Sequence, residues 1–146
     1  MGIIENSLCG IVLALCSFQD IKGRYINIVP PVMLSAFVIL YGIIKNGNID
    51  VEVLISIIPG LTLLIISFIS KEMVGFGDGV IVGCMGICSG IYKEIIVLGI
   101  SFLLIWLSCI VGIICGRRIH RKTALPYVPY VLMAWIIVTV MDIIAL

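Results

Sequence analysis

Lys71-Glu72-Met73-Val74-Gly75-Phe76-Gly77-Asp78-Gly79 separates two apolar runs, Val51–Ser70 and Val80–Tyr92. Two such runs flanking a polar, glycine-rich stretch read as helices meeting at a membrane surface. An Asp adjoining an apolar helix calls for a reason. A central Asp costs roughly +2.5 to +3.5 kcal/mol on insertion scales. Asp78 is therefore a candidate functional residue, and the first question it raises is its partner.

The rest of the chain reads the same way. Of 146 residues, 62% are hydrophobic and only 12% charged, and the mean hydropathy is +1.33. A soluble domain averages about 45–50% apolar and 25% charged residues. Apolar runs recur along the whole length, so the fold class is an all-α polytopic membrane protein in a single membrane-embedded domain. A net charge of +1, with no basic patch interleaved with aromatics, gives no sign of nucleic-acid binding.

Cys9, Cys16, Cys84, Cys88, Cys109 and Cys115 all fall in or beside apolar runs, where cysteine acts as a small hydrophobe. There is no CxxC and only one histidine, His120, which argues against a zinc site. Cys84 and Cys88 lie one helical turn apart, and packing is the favoured reading for them too. Neither a metal nor another cofactor is expected. The N-terminal apolar stretch follows Glu5 rather than a basic region and does not read as a cleavable signal peptide.

Six spans are expected: Ile3–Phe18, Ile26–Ile44, Val51–Ser70, Val80–Tyr92, Ile95–Cys115 and Leu125–Ile144. Most approach the ~20 residues a bilayer core requires, the first and fourth being short. Pro30-Pro31 suits a first helical turn, Lys45-Asn46-Gly47-Asn48 a helix stop, and Pro59-Gly60 a kink in the third span. The connections after spans one, three and five carry Lys22, Arg24, Lys71, Arg117, Arg118, Arg121 and Lys122, against Lys45 and Lys93 on the other side. The positive-inside rule then puts the odd connections in the cytoplasm and both termini outside.

This orientation brings Asp20, which ends span one, to the same membrane face as Asp78. On the fourth span Gly79, Gly83, Gly86 and Gly90 form one helical stripe that would let another helix approach closely beside Asp78. Two facing carboxylates cannot both ionise easily, so such a pair holds one proton and can hydrolyse a peptide bond by general acid–base catalysis. Gly75 and Gly77 suit a backbone that an extended substrate must approach.

Three segments now resemble one family, the type IV prepilin peptidases, membrane aspartic proteases of the GxGD class. Asp20-Ile21-Lys22-Gly23-Arg24-Tyr25-Ile26 is similar to the motif bearing the first catalytic Asp. Glu72-Met73-Val74-Gly75-Phe76-Gly77-Asp78 is similar to the Glu and GxGD motif of the second. Leu125-Pro126-Tyr127-Val128-Pro129-Tyr130 resembles the Pro-Phe-Gly-Pro segment that opens the last helix. With its six spans, the resemblance covers essentially the whole chain. It implies Asp20 and Asp78 as the catalytic pair, Glu72, Gly75 and Gly77 as supporting residues, and prepilin-like precursors as substrates that lose a short basic leader at the cytoplasmic face. The cysteine-bearing segment of the larger, N-methylating members has no counterpart, which implies peptidase activity alone. Asn27, Ile28, Val80 and Val128 stand where the family usually has Pro, Asn, Lys and Gly. Presenilin-like proteases also carry GxGD, but their first Asp follows a Tyr, whereas Gln19 precedes Asp20.

Plainer readings stand beside these. Lys22, Arg24 and the Arg117–Lys122 cluster serve as orientation anchors and headgroup contacts. Glu72 reads equally as a solvated charge, and Asp142 as a structural residue at the outer interface. Helix capping would explain Asp78 at an N-terminus but not Asp20 at a C-terminal end. The rival class is a non-catalytic membrane protein, a small transporter or secretion-system assembly component, supported by the kinked third span and the glycine-lined fourth.

Overall fold

The computed structural model describes residues 3–23, 26–48, 51–70, 75–115 and 126–144. Among them every regular element is a helix: α1 (Ile3–Gly23), α2 (Val29–Asn46), α3 (Val51–Ser56), α4 (Ile58–Ile69), α5 (Phe76–Ser89), α6 (Ile91–Ile114) and α7 (Val128–Ile144). Two stretches are long and apolar enough to cross a membrane, Val51–Ile69 and Ile91–Ile114; α2, α5 and α7 are apolar but shorter.

Local chemistry accounts for most helix ends. Prolines open α2 and α4, where a missing N–H costs no intrahelical bond. Gly47, at φ 74°, closes α2 in the left-handed region and donates its N–H to the Ile43 carbonyl. The irregularity expected at Pro59-Gly60 appears as a one-residue interruption at Ile57, between α3 and α4, where the backbone itself stays in the α-helical region. Pro59 has no N–H to offer the carbonyl four residues back, at Ile55.

Several boundaries differ from the sequence reading, and three of them bear on the site. Helix α1 runs on to Gly23, so Asp20 lies within its last turns rather than in a polar connection. Helix α5 stops at Ser89, because Gly90 takes φ 81° and leaves the helix. Gly90 is thus a hinge, not the fourth member of the glycine stripe. Helix α6 then starts at Ile91, so Tyr92, read as the end of the fourth span, opens the next helix, and Lys93 and Glu94 are helical where the sequence suggested a connection.

Helix α5 is the hub, packed against α1, α2, α3, α4 and α6, while α7 closes against α1 and α6. The α4–α5 seam is antiparallel and depends on glycine. A Cβ on Gly60 would collide with the Gly83 backbone, and one on Gly79 would lie 2.9 Å from Leu64. Small residues let the two backbones approach where larger ones would hold them apart. Helix α1 crosses α7 in the same antiparallel sense: Gly10 faces the Trp135 ring near one end, and Asp20 meets Val128 at the other. The core between them is built from Leu13, Ile81, Met85, Val97, Val131 and Trp135 with buried cysteines. The outside is apolar as well, with Phe68 89% and Ile114 78% exposed.

Candidate active site

The ends of α1, α5 and α7 meet at one end of the bundle. Asp20 is buried near the C-terminus of α1, and its Oδ2 accepts the Val128 N–H at 3.2 Å, at the start of α7. A carboxylate at a helix C-terminus is ill placed for its own dipole. Here it faces the N-terminus of another helix, where unpaired N–H groups favour negative charge.

Asp78 is half-buried in the first turn of α5, whose N-cap is Gly75. The Gly75 backbone N–H donates to its carboxyl, the side-chain half of a capping box. This is why Gly75 matters locally. A Cβ there would lie 2.9 Å from Asp78 Oδ2 and force the carboxyl to move. Gly77 is needed for a different contact, because a Cβ there would press within 3.3 Å of Ile26. The segment after α1 thus packs on the glycine motif that opens α5.

The charge on Asp20 also acts on Asp78. Both lie outside the apolar runs Ile3–Phe18 and Val80–Tyr92 read from the sequence. Burial pushes Asp78 above the usual carboxylate range, the charge on Asp20 pushes it further, and it reaches about 6 against the opposing Gly75 bond. Burial raises Asp20 too, opposed by the Val128 N–H. A carboxyl held up by burial and a like charge, beside a second one bonded to a helix N-terminus, is an arrangement in which one proton is shared unequally.

Helix α2 is tied to the same end by polar contacts. Asn27 donates its N–H to Gln19 Oε1 at 3.0 Å, and Asn27 Oδ1 accepts the Val29 N–H at 3.1 Å. Asn27 therefore has its own work where the resembled family usually carries Pro, which could not make the first of these bonds. Val128 contributes through its backbone N–H, a contact indifferent to its side chain. Glu72 lies outside the described residues, as do Arg24, Lys71, His120 and the Arg117–Lys122 cluster.

Two further buried groups escaped the sequence reading. The Tyr127 phenol is within electrostatic reach of both Asp78 and Glu94. Glu94, on α6, is 0% exposed, and neither carboxyl oxygen has a hydrogen-bond partner. At the opposite end from Asp20, Lys93 Nζ pairs with Asp142 at 3.1 Å and lies over the Trp135 ring at 5.3 Å, joining the start of α6 to the end of α7. Asp142 is structural in this sense. None of the six cysteines forms a disulfide, and no cluster of three metal-ligating side chains occurs among the described residues.

Among the described residues, fold and site together define an all-α protein with two stretches long and apolar enough to span a membrane and two interacting carboxyls at one end. No family model, curated protein or solved structure matches the chain.

Proposed function

We propose that the protein is a membrane-embedded aspartic endopeptidase that removes short basic leaders from prepilin-like precursors at the cytoplasmic membrane face. The observation that carries the reading is the electrostatic coupling of Asp20 and Asp78, at the end where three motif-bearing segments meet. In this reading α1, α2, the broken α3–α4 pair, α5, α6 and α7 make six spans in one domain. The apolar exterior supports that placement, because side chains such as Phe68 and Ile114 suit lipid and not water. Both termini lie outside, in keeping with the basic residues of the odd connections.

The chemistry follows from the unequal pair. Asp20, bonded to the Val128 N–H, is the ionised member and takes a proton from water as its oxygen attacks the scissile carbonyl carbon. Asp78, held up to about 6, is the acid and gives its proton to the carbonyl oxygen. Collapse of the tetrahedral intermediate breaks the C–N bond, with a proton passing to the departing amine. The products are the leader's new carboxylate and the mature chain's free N-terminus. No metal or cofactor takes part in this scheme, and the mature N-terminus is left unmethylated.

Co-expression with a prepilin-like precursor tests the reading. Leader removal should occur with the unaltered chain and stop with Asp20→Asn or Asp78→Asn. Normal processing by either variant would end the dyad reading. A second reading, a non-catalytic transporter or secretion-system assembly component, draws support from the α3–α4 break beside buried Glu94, since broken helices and intramembrane carboxyls are transporter features.

A further inference from the structure

Glu94 is the polar group that the dyad does not use. It is fully buried, both its oxygens lack partners, and no ion pair reaches it among the described residues. An isolated carboxylate in such a place would lose its hydration with nothing in return.

Its surroundings are specific. A Cβ on Gly86 would overlap both Glu94 Oε2 and the Ser56 carbonyl oxygen, so the two oxygens converge on one side of the Gly86 α-carbon. Ser56 is the last residue of α3, and α4 begins two residues later. Its carbonyl lies at the break, turned toward α5. Two oxygens that converge in a dry core need a positive charge or a shared hydrogen between them.

The neighbouring charges do not supply it. Lys93, adjacent on α6, is turned to Asp142 and Trp135 on α7. Glu52 on α3 is exposed. Helix α5 carries the Cys84 and Cys88 thiols on the face it shares with α1 and α2 and, further along, Asp78, while the Tyr127 phenol before α7 lies within reach of both Asp78 and Glu94. None of the α3, α5 and α7 groups is a cation, and Lys93 is already paired with Asp142. A hard metal ion would require about six oxygen ligands, whereas one carboxyl and one carbonyl meet here. A proton needs one donor and one acceptor.

We propose that Glu94 is a buried proton-binding site, a neutral carboxylic acid whose O–H donates to the Ser56 carbonyl and latches the α3–α4 break onto α5 at Gly86. Loss of the proton turns the latch into two facing acceptors and loosens that junction. The site is independent of the peptidase reading.

The test uses the full chain, purified in a mild detergent, with two readouts. At neutral pH the infrared spectrum should contain a protonated carboxylic acid band that disappears in Glu94→Gln. The melting temperature of the unaltered protein should fall by about 4 °C or more between about pH 6 and pH 9 relative to that of Glu94→Gln, whose amide keeps a donor for the carbonyl. Groups that titrate in both proteins cancel in that difference. Glu94→Ala should melt lower throughout. Identical infrared spectra, or parallel melting profiles for the unaltered protein and Glu94→Gln, overturn the proposal. So does stabilisation at alkaline pH by sodium chloride, but not choline chloride, that Glu94→Gln lacks, because the ligand would then be a metal ion.

Discussion

Asp20 Oδ2 accepts the backbone N–H of Val128 at 3.2 Å across 108 residues of sequence, so the end of α1 caps the start of α7. The bond answers a question that helix α1 alone leaves open, namely why a buried carboxylate sits where its own helix dipole is unfavourable. The N-terminus of α7 provides the compensating field. It also orders the two carboxyls chemically, since the contact favours charge on Asp20 while Asp78 is pushed toward its protonated form.

Capping and catalysis by Asp20 separate in two variants. Asparagine can still accept the Val128 N–H but cannot act as a base. Asp20→Asn should therefore keep close to the parent melting temperature and lose leader cleavage by at least about a hundredfold. Asp20→Ala should lose cleavage and about 1–3 kcal/mol of stability as well, because a buried N–H is left unpaired. Full activity in the asparagine variant would reduce Asp20 to a cap.

The pH dependence follows from Asp78. With its carboxyl held up to about 6, the pair keeps its shared proton on the acid side of that value and loses it above. Cleavage by the detergent-solubilised enzyme should fall as pH rises through about 6. Stability moves in the same direction. The native carboxyl binds its proton more tightly than the unfolded chain, so its contribution is fully present below about pH 4 and is lost as pH rises through about 6. The melting temperature of the parent should therefore fall relative to that of Asp78→Asn as pH rises from about 4 through about 6. A rate that climbs through pH 6 and stays level into the alkaline range would assign the acid role elsewhere.

What could be read from the sequence was what periodicity and local stereochemistry control. Pro30, Gly47 and Pro59 act through their own backbones, and the structure puts a start, a stop and a break where they stand. Charge asymmetry orders helix ends, so it could place Asp20 and Asp78 toward one face, but whether the two carboxyls meet depends on packing that the sequence does not carry. The rest depends on tertiary contact. Nothing local marks Gly90 as a hinge when three glycines before it follow helical spacing, and that misplacement left Glu94 in a supposed connection. Only the approach of Ser56 to Gly86 reveals its surroundings. The Asp20–Val128 bond was hidden for a similar reason, since its donor is a backbone group carrying no sequence signal.

The glycine seam between α4 and α5 is asymmetric, which yields a sharper test than removal of the whole stripe. A Cβ on Gly83 would lie 3.6 Å from the Gly60 α-carbon, an ordinary contact, whereas one on Gly60 would run into the Gly83 backbone. Gly83→Ala should be tolerated, while Gly60→Ala should cost about 1–3 kcal/mol through overpacking. Alanine raises helix propensity at both positions, in the first turn of α4 and in the middle of α5, so propensity alone would stabilise both variants and the collision at Gly60 sets them apart. Equal stability of the two variants would mean that the helices can separate without loss.

Orientation in the membrane can be read from a native thiol. Cys115 is exposed at the C-terminal end of α6, whereas Cys9, Cys16, Cys84 and Cys88 are buried and Cys109 is only partly accessible. The α6 C-terminus leads into the basic residues Arg117, Arg118, Arg121 and Lys122, which the positive-inside rule assigns to the cytoplasm. A membrane-impermeant maleimide should therefore label Cys115 in inside-out vesicles and leave it unlabelled in intact cells, with Cys115→Ser abolishing the signal. The same experiment bears on the site. Asp20 ends an outside-to-inside span in this topology, so labelling of Cys115 from the external face would invert the bundle and move the carboxyl pair to the side away from a precursor's basic leader.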